Sequence, residues 1–303
     1  MDFVVKSEYA GKTVKEFLKA NIGLSRNMLI MLKNKPDGIT VNGSRVTVRY
    51  MLSENDVLGL NYEDADKSAV AENQSLLPLL DIIYEDDFIL AVNKPPNMPS
   101  HPSVNHFDDT LANLVAAYYK NNNINSLYRA VNRLDKNTSG AVLVAKNKII
   151  SAKLNGMMKR GEIHKTYIAV LNGNIHDIYP EGGAITLPIR RERDSIIKRV
   201  CAADGDYAET EFKILKYNDK TSVVEVYPKT GRTHQIRLHF YTVGFPLLGE
   251  DLYCENTGGL IGRHALHACA LEFDHPETNK KIILKCGLPE DMKSVIGYEK
   301  IYF

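Results

Sequence analysis

Residues 131–147 read Val-Asn-Arg-Leu-Asp-Lys-Asn-Thr-Ser-Gly-Ala-Val-Leu-Val-Ala-Lys-Asn. The segment 136–140 has turn composition, whereas 141–145 is a short apolar run that predicts a buried strand. Asp135 is therefore predicted to lie in a loop held by a rigid strand, where functional groups are common. On spacing alone, the pattern favours a structural Asp135 that shapes the turn and pairs with Arg133. The longer motif that includes this stretch favours a functional Asp135.

The composition is that of an ordinary globular protein. The chain has 303 residues, of which 44% are hydrophobic and 25% charged, enough for one large domain and a small one. Its formal net charge is +1, so a nucleic-acid site would have to be a local basic patch. The amino terminus has no apolar core and no long uncharged apolar run follows, so we expect a cytoplasmic protein without a membrane span.

Neither a metal nor a nucleotide cofactor is predicted. Cys201, Cys254, Cys269 and Cys286 show no C-x-x-C spacing, and we expect reduced thiols. His264, His267 and Cys269 lie close in sequence, but no second pair accompanies them, and packing on a predicted strand over 266–273 explains them. No phosphate-binding loop, dinucleotide fingerprint or H-E-x-x-H motif occurs, which argues against ATP, NAD and zinc-protease chemistry.

Residues 1–61 predict a small α+β unit. A capping box of Thr13 and Glu16 begins one short helix, and Ser25 caps a second. The remaining elements are a hairpin that turns at Asn42-Gly43, with Val46, Val48 and Tyr50 alternating on its second strand, and a closing strand over 56–58.

This unit resembles the small RNA-binding domain first described in a ribosomal S4 protein. The resemblance rests on three short stretches, Leu24-Ser25-Arg26, Ile39-Thr40-Val41-Asn42-Gly43 and Asn55-Asp56-Val57. It implies that Arg26, Lys33 and Arg45 contact RNA phosphates. The alternative is that these three side chains are solvated surface charges.

A polar, acidic segment over 62–75 is predicted to be a linker, followed by a second domain over 76–303. Its predicted helices span 109–119 and 147–158, and its predicted strands span 81–84, 88–93, 141–145, 164–171, 211–215, 223–227, 266–273 and 281–286. A basic segment over 190–199 fits a solvated surface about as well as an RNA-facing loop.

The second informative stretch is 228–239, Pro-Lys-Thr-Gly-Arg-Thr-His-Gln-Ile-Arg-Leu-His. Helical spacing predicts a helix that Thr233 caps and Gly244 terminates. Arg232 would precede this helix and Arg237 would lie in its first turns. A helix amino terminus flanked by arginines is a natural place for an anion.

The two stretches together, with Tyr167 on its strand, resemble the RluA-type pseudouridine synthases. The resemblance covers nearly the whole chain, and Asn93-Lys94-Pro95, 244–249 and 265–268 match in order. It implies an α+β fold, the pseudouridine synthase fold, with a mixed, mostly antiparallel sheet and flanking helices.

The resemblance also implies site residues. Asp135 would be the essential carboxylate, acting as nucleophile, as base at the ribose or as stabiliser of charge at C1′. Arg237 would pair with it. Tyr167 would stack on the target base and help remove the C5 proton, although plain strand packing would also explain it. The four residues assigned to RNA contact and loop support are Arg133, Arg232, His234 and Gln235.

The implied reaction isomerises uridine in RNA without a cofactor, after the base has flipped out of its stack. We expect a monomer acting on large-subunit ribosomal RNA, with transfer RNA as the alternative substrate. A catalytically silent RNA-binding or ribosome-assembly protein, and a glycosidic-bond enzyme that releases the base, are the rival interpretations. Asn132 replaces a histidine common in relatives, and Gly249-Glu250-Asp251 departs from a commoner Gly-Asp. We expect neither change to touch Asp135, Tyr167 or Arg237.

Overall fold

The computed structural model describes residues 2–61, 70–254 and 259–297. Two sheets organise these residues, an antiparallel four-stranded sheet on the amino-terminal side and a nine-stranded sheet beyond it. A separate two-stranded ribbon stands beside the large sheet.

The amino-terminal unit is α+β, as predicted. Its elements are β1 (Asp2–Val4), α1 (Val14–Phe17) with a following π-helical turn (Leu18–Ile22), α2 (Arg26–Asn34), β2 (Ile39–Val41), β3 (Ser44–Arg45) and β4 (Val57–Leu60). Both predicted caps are confirmed. Glu16 accepts a hydrogen bond from the Thr13 amide at 2.8 Å, and Ser25 Oγ accepts one from the Met28 amide at 3.3 Å. The core of this unit includes Ile149, so it packs against the second domain.

The hairpin of this unit differs from the prediction in its second strand, which ends at Arg45. The turn itself is as expected, because Asn42 and Gly43 have φ of 51° and 79°, the positive values that a tight hairpin turn requires. Beyond Arg45, the Val48 carbonyl accepts from the Lys15 amide at 3.0 Å. The first amides of a helix have no partner within it. The segment after Arg45 therefore accepts a hydrogen bond from α1 and does not extend the β2–β3 hairpin.

The predicted linker is only partly covered, since 62–69 lie outside the described residues. Residues 71–75 of this segment pack on the second domain. Asn113 Nδ2 donates to the Ala71 carbonyl at 2.6 Å, and Asn73 Nδ2 donates to the Asp108 carbonyl at 2.8 Å. Asn113 is buried and its amide needs an acceptor, which the segment supplies.

The second domain is built on the large sheet. Its strands are β5 (Ile82–Glu85), β6 (Ile89–Lys94), β7 (Ser139–Ala145), β8 (His164–Asn172), β9 (Gly183–Thr186), the ribbon strands β10 (Ile189–Arg191) and β11 (Arg199–Cys201), β12 (Glu209–Tyr217), β13 (Thr221–Pro228), β14 (Leu266–Asp274) and β15 (Lys281–Lys285). The order is β5-β6-β7-β14-β8-β13-β12-β9, with β15 also paired to β14. Among the described pairings of this sheet, only β7 with β14 is parallel. The predicted mixed, mostly antiparallel sheet is confirmed.

Helices cover both faces of this sheet. They are α3 (Leu111–Asn121), α4 (Lys148–Arg160), α5 (Gln235–Thr242) and α6 (Glu290–Ile296). Every residue of β7 is buried, as its uninterrupted apolar run predicts. Val142 and Val144 join a core with α3 and α5, whereas Leu143 joins a core with α4. β7, the central strand that follows Asp135, is therefore packed between helices on both faces of the sheet.

Candidate active site

A cleft of about 920 Å³ lies between the loop that carries Asp135 and the segment that leads into α5. Among the described residues that line it, Asp135 is the one carboxylate. The cationic side chains that line it are Arg133, Lys136, Lys165, Arg199, Lys229, Arg232 and Arg237. A concave site lined by one sign of charge focuses the potential and attracts ligands of opposite charge. The chain as a whole is almost neutral, yet this cleft is suited to a polyanion.

The Asp135 loop is fixed by bonds to distant segments. The Thr138 amide donates to the Asp135 carbonyl at 3.1 Å, which closes the turn. Ser100 donates its hydroxyl to the Leu134 carbonyl at 2.8 Å and accepts from the Leu134 amide at 3.2 Å. The Asp135 side chain stays 28% exposed. A carboxylate held at its backbone and open at its side chain can meet a ligand without rearrangement.

Lys94 lies beneath this loop and is fully buried at the end of β6. Its ammonium donates to the carbonyls of Pro95 at 2.9 Å, Met98 at 2.7 Å and Lys136 at 3.0 Å. Burial lowers the pKa of Lys94 to about 7, an effect that Asp135 opposes. These bonds use all three ammonium donors and join two loops of the cleft. Lys94 lies within a stretch quoted for the resemblance, but no role was predicted for it.

Arg263 and two histidines hold the residues at the start of β7 by hydrogen bonds. Arg263 donates to the Asn137 carbonyl at 2.8 Å and pairs with Asp291 at 2.7 Å. Thr138 Oγ1 lies 2.8 Å from His264 Nε2, and Ser139 Oγ lies 2.9 Å from His267 Nδ1. Within the described part of the chain, no three His, Cys, Asp or Glu side chains are grouped as metal ligands would be.

These buried histidines make the fold sensitive to acid. Burial is the main cause that lowers the pKa of His264 to about 2 and that of His267 to about 4. In the unfolded chain a histidine has a pKa near 6.5, so below that pH the unfolded chain takes up protons while both folded rings stay neutral. The contribution of the two neutral histidines to the free energy of unfolding is therefore complete above about pH 6.5 and is lost as the pH falls. For His264 and His267 together, this effect lowers the free energy of unfolding at pH 5 by about 3–4 kcal/mol relative to pH 7.

Urea denaturation at pH 7 and pH 5 measures this loss. We expect His267→Gln, which removes one titrating ring, to show about half the difference between the two pH values. The same difference in the variant and the intact chain would show that other groups cause the acid sensitivity.

Arg237 faces Asp135, but it binds another carboxylate more closely. Its Nη1 lies 3.4 Å from Asp135 Oδ2, whereas Nε and Nη2 donate to Glu250 at 2.8 Å and 2.6 Å. Burial lowers the pKa of Arg237, but the bonds and charge of Glu250 outweigh that effect and raise it overall. The expectation that the unusual Gly249-Glu250 sequence leaves Arg237 untouched is therefore wrong. A carboxylate in a turn has no periodic signal, so the sequence did not reveal this partner.

Asn132, the other departure, was predicted correctly. Its Nδ2 donates to the Ala141 carbonyl at 2.9 Å, and its Oδ1 accepts from the Leu143 amide at 2.8 Å. The amide therefore binds the edge of β7 and makes no described contact with the carboxylate of Asp135.

The helix α5 begins differently from the prediction. Thr233 is not its cap, because the chain enters the helix through His234 in a left-handed conformation with φ of 57°. His234 Nδ1 bonds Tyr253 Oη at 2.8 Å, which leaves Nε2 at 3.9 Å from Asp135 Oδ1. Burial lowers the pKa of His234, against the opposing charge of Asp135. The imidazole is therefore neutral near pH 7, and Arg237 is the cation beside Asp135.

Tyr167 lies on β8 in the wall of the cleft and is 8% exposed. Its hydroxyl has no hydrogen-bond partner among the described residues. Burial raises the pKa of Tyr167, and the charge of Asp135 adds to this effect. The residue packs in the core with Leu134, Ile236 and Leu266, so the apolar wall also fits the packing alternative.

Besides His234, three residues were predicted to contact RNA or to support the loop, and they occupy different positions. Arg133 is exposed at the cleft, and neither it nor Asp135 shows the mutual ion pair that a purely structural turn would use. Arg232 is half-exposed and lies 3.4 Å from Asp206. Gln235 is buried and bonds Thr230 at 2.6 Å, the Arg232 amide at 3.0 Å, the Glu209 carbonyl at 2.9 Å and Thr210 at 3.0 Å. Its amide is fully used, so the structure places it in the loop-support role.

In the amino-terminal unit, Arg26, Lys33 and Arg45 are all exposed. None of these three side chains has a hydrogen bond or ion pair to another described residue. The structure is compatible with phosphate contacts by these side chains, and the S4-like assignment stays a prediction.

The chain is similar to known proteins of one family. The RNA pseudouridylate synthase family matches residues 88–242. The uncharacterised RNA pseudouridine synthase YjbO of Bacillus subtilis (strain 168) is 37% identical over 95% of this chain and 99% of that protein. Ribosomal large subunit pseudouridine synthase D of Buchnera aphidicola subsp. Schizaphis graminum is 32% identical over 89% of this chain and 84% of its own.

Among solved structures, human RNA pseudouridylate synthase domain containing 4 has a TM-score of 0.59 at 20% identity, over 73% of this chain and 93% of that chain. The fold is thus the pseudouridine synthase fold. The chain belongs to the RNA pseudouridylate synthase family, and it is an RNA-modifying isomerase. Across 2–61, 70–254 and 259–297, no helix has the length and apolar composition needed to cross a bilayer.

Proposed function

We propose that the protein converts uridine to pseudouridine at a specific site in large-subunit ribosomal RNA. The observation that carries the proposal is Asp135, the one carboxylate among the described residues of a cleft that seven Lys and Arg side chains also line. Asp135 faces Arg237 at 3.4 Å. A cationic cleft binds the phosphate backbone. The exposed Arg26, Lys33 and Arg45 supply a second surface for structured RNA.

In this reaction the N1–C1′ bond breaks, the uracil turns, and a C5–C1′ bond forms. The proton on C5 leaves and N1 gains one, so nothing is oxidised and no cofactor is consumed. Asp135 acts at the ribose, where positive charge develops as the bond breaks. The cleft reaches a base only after that base has left its stack. The apolar wall of Leu134, Tyr167 and Ile236 then replaces the stacking neighbours.

Tyr167 has two parts in this proposal. Its ring packs against the uracil, and its hydroxyl, which has no described partner, is free to exchange protons with the base. Because the raised pKa keeps the hydroxyl protonated at rest, it first donates to N1 as the bond breaks. The resulting phenolate then accepts the C5 proton, which restores the phenol.

We expect Tyr167→Phe to lower the turnover by about 10²–10⁴-fold, because it removes the proton-transfer group and keeps the ring. RNA affinity, measured by filter binding, should stay within about threefold. Turnover near that of the intact enzyme in Tyr167→Phe, with a loss only in Tyr167→Ala, would restrict Tyr167 to packing.

The proposal is tested by tritium release from RNA labelled at C5 of uridine. Unmodified ribosomal RNA and bulk transfer RNA are offered separately, and the products are analysed for pseudouridine and for free uracil. Release from ribosomal RNA with pseudouridine in the product supports the proposal. Release only from transfer RNA would change the substrate class. Free uracil would identify a base-releasing enzyme, and RNA binding without release would identify a silent binding protein.

A further inference from the structure

Glu250 lies behind the proposed active site, 1% exposed. It binds the edge of the Arg237 guanidinium that points away from Asp135. Nε and Nη2 of Arg237 donate to its two oxygens at 2.8 Å and 2.6 Å, and the Leu252 amide donates to the same carboxylate at 3.0 Å. Asp251 is a weaker partner, since it lies 3.6 Å from Nη2 and its side chain is 68% exposed.

This arrangement determines how Arg237 meets Asp135. A guanidinium binds a carboxylate most strongly when two parallel N–H groups face both oxygens. Glu250 occupies that edge, so Arg237 turns only Nη1 toward Asp135 Oδ2. His234 Nε2 lies 3.9 Å from Oδ1 of Asp135. Arg237 thus donates one hydrogen bond to Oδ2 of Asp135, and the Asp135 side chain stays 28% exposed.

We propose that Glu250 is a positioning residue, which holds Arg237 so that it orients Asp135 by one N–H group without occupying both carboxylate oxygens. Without Glu250, the guanidinium is free to rotate and to bind Asp135 through two N–H groups, which would compete with the ribose. The inference rests on the proposed role of Asp135. It concerns a residue that acts through Arg237 and does not touch the RNA.

Kinetics of Glu250→Gln and Glu250→Asp test the proposal on the full chain. We expect Glu250→Gln to lower kcat by about 10–100-fold with KM within about threefold, since misplacement of a catalytic group costs turnover more than binding. Glu250→Asp keeps the charge, and we expect a smaller fall of about 3–10-fold. Glu272→Gln is the matched control, because it makes the same change in the exposed ion pair with Lys281. We expect unchanged kinetics for it.

A second readout does not depend on activity. Nitrogen-15 NMR of labelled arginine reports rotation of the Arg237 guanidinium, assigned by its absence in Arg237→Lys. We expect separate, slowly exchanging Nη signals in the intact protein and in Glu272→Gln, and averaged signals in Glu250→Gln. An intact enzyme without tritium release would reject the proposed function, while the spectra would still show whether Glu250 holds Arg237.

Two results would overturn the positioning role. One is kcat of Glu250→Gln equal to that of the intact enzyme. The other is slow Nη rotation that persists in that variant. If Glu250→Gln does not fold, Glu250→Asp decides: a lower kcat at unchanged KM supports the proposal, and an unchanged kcat rejects it.

Discussion

Asp135→Asn is expected to lower the turnover of uridine isomerisation by at least about 10³-fold, because the amide can neither act as a base nor attack or stabilise a cationic ribose. The fold should be retained. The side chain is partly exposed, and Arg237 keeps its two bonds to Glu250. RNA affinity should be equal or slightly tighter, because the substitution removes a negative charge from the cationic cleft.

Single-turnover tritium release and filter binding on the same RNA measure the two effects separately. Asp219→Asn is a suitable control, since Asp219 is exposed between β12 and β13, away from the cleft lining. We expect this control to keep the turnover of the intact enzyme. A tenth or more of the turnover remaining in Asp135→Asn would assign the chemistry to another group.

Gly140→Ala is expected to reduce the free energy of unfolding by more than about 4 kcal/mol, and the variant is expected to give little folded protein. Gly140 has φ of +115°, and a Cβ there would lie 2.2 Å from the Ala268 carbonyl oxygen. That oxygen belongs to the backbone of β14, whose parallel register pairs Ala268 with Gly140. The clash can be relieved only by separating two central strands.

Gly161→Ala is the control for Gly140→Ala, because it places a Cβ on a residue with positive φ without creating a clash. Gly161 ends α4 with φ of +76°, and nothing lies within 4 Å of a Cβ built on it. We expect a cost of about 1–2 kcal/mol from backbone strain alone. Thermal and urea denaturation of both variants give the comparison. An equal loss of unfolding free energy in the two variants would mean that β7 and β14 can move apart at little energetic cost. Any folded Gly140→Ala should also lose activity, because β7 holds the Asp135 loop.

The local features of this fold were predictable because their causes are local. An apolar run over 141–145 predicted a buried strand, and β7 is buried along its whole length. Thr13 and Ser25 cap helices with amides three residues away. The prediction failed at Thr233 because the buried Gln235 side chain, through bonds to Glu209 and Thr210, determines the path of that loop. Capping preference alone did not include those partners.

From the amino-acid sequence alone, periodicity predicted the local elements, and the resemblance of its motifs to the RluA-type pseudouridine synthases implied the fold class, the family and the candidates Asp135, Tyr167 and Arg237. Only the tertiary structure identified Lys94, Arg263 and Glu250 as the groups that hold them. Lys94 bonds a carbonyl 42 residues away and Arg263 one 126 residues away. Polar partners between distant segments have no sequence period. They are selected only after the sheet has brought those segments together and removed them from water, where an unpaired polar group would be costly.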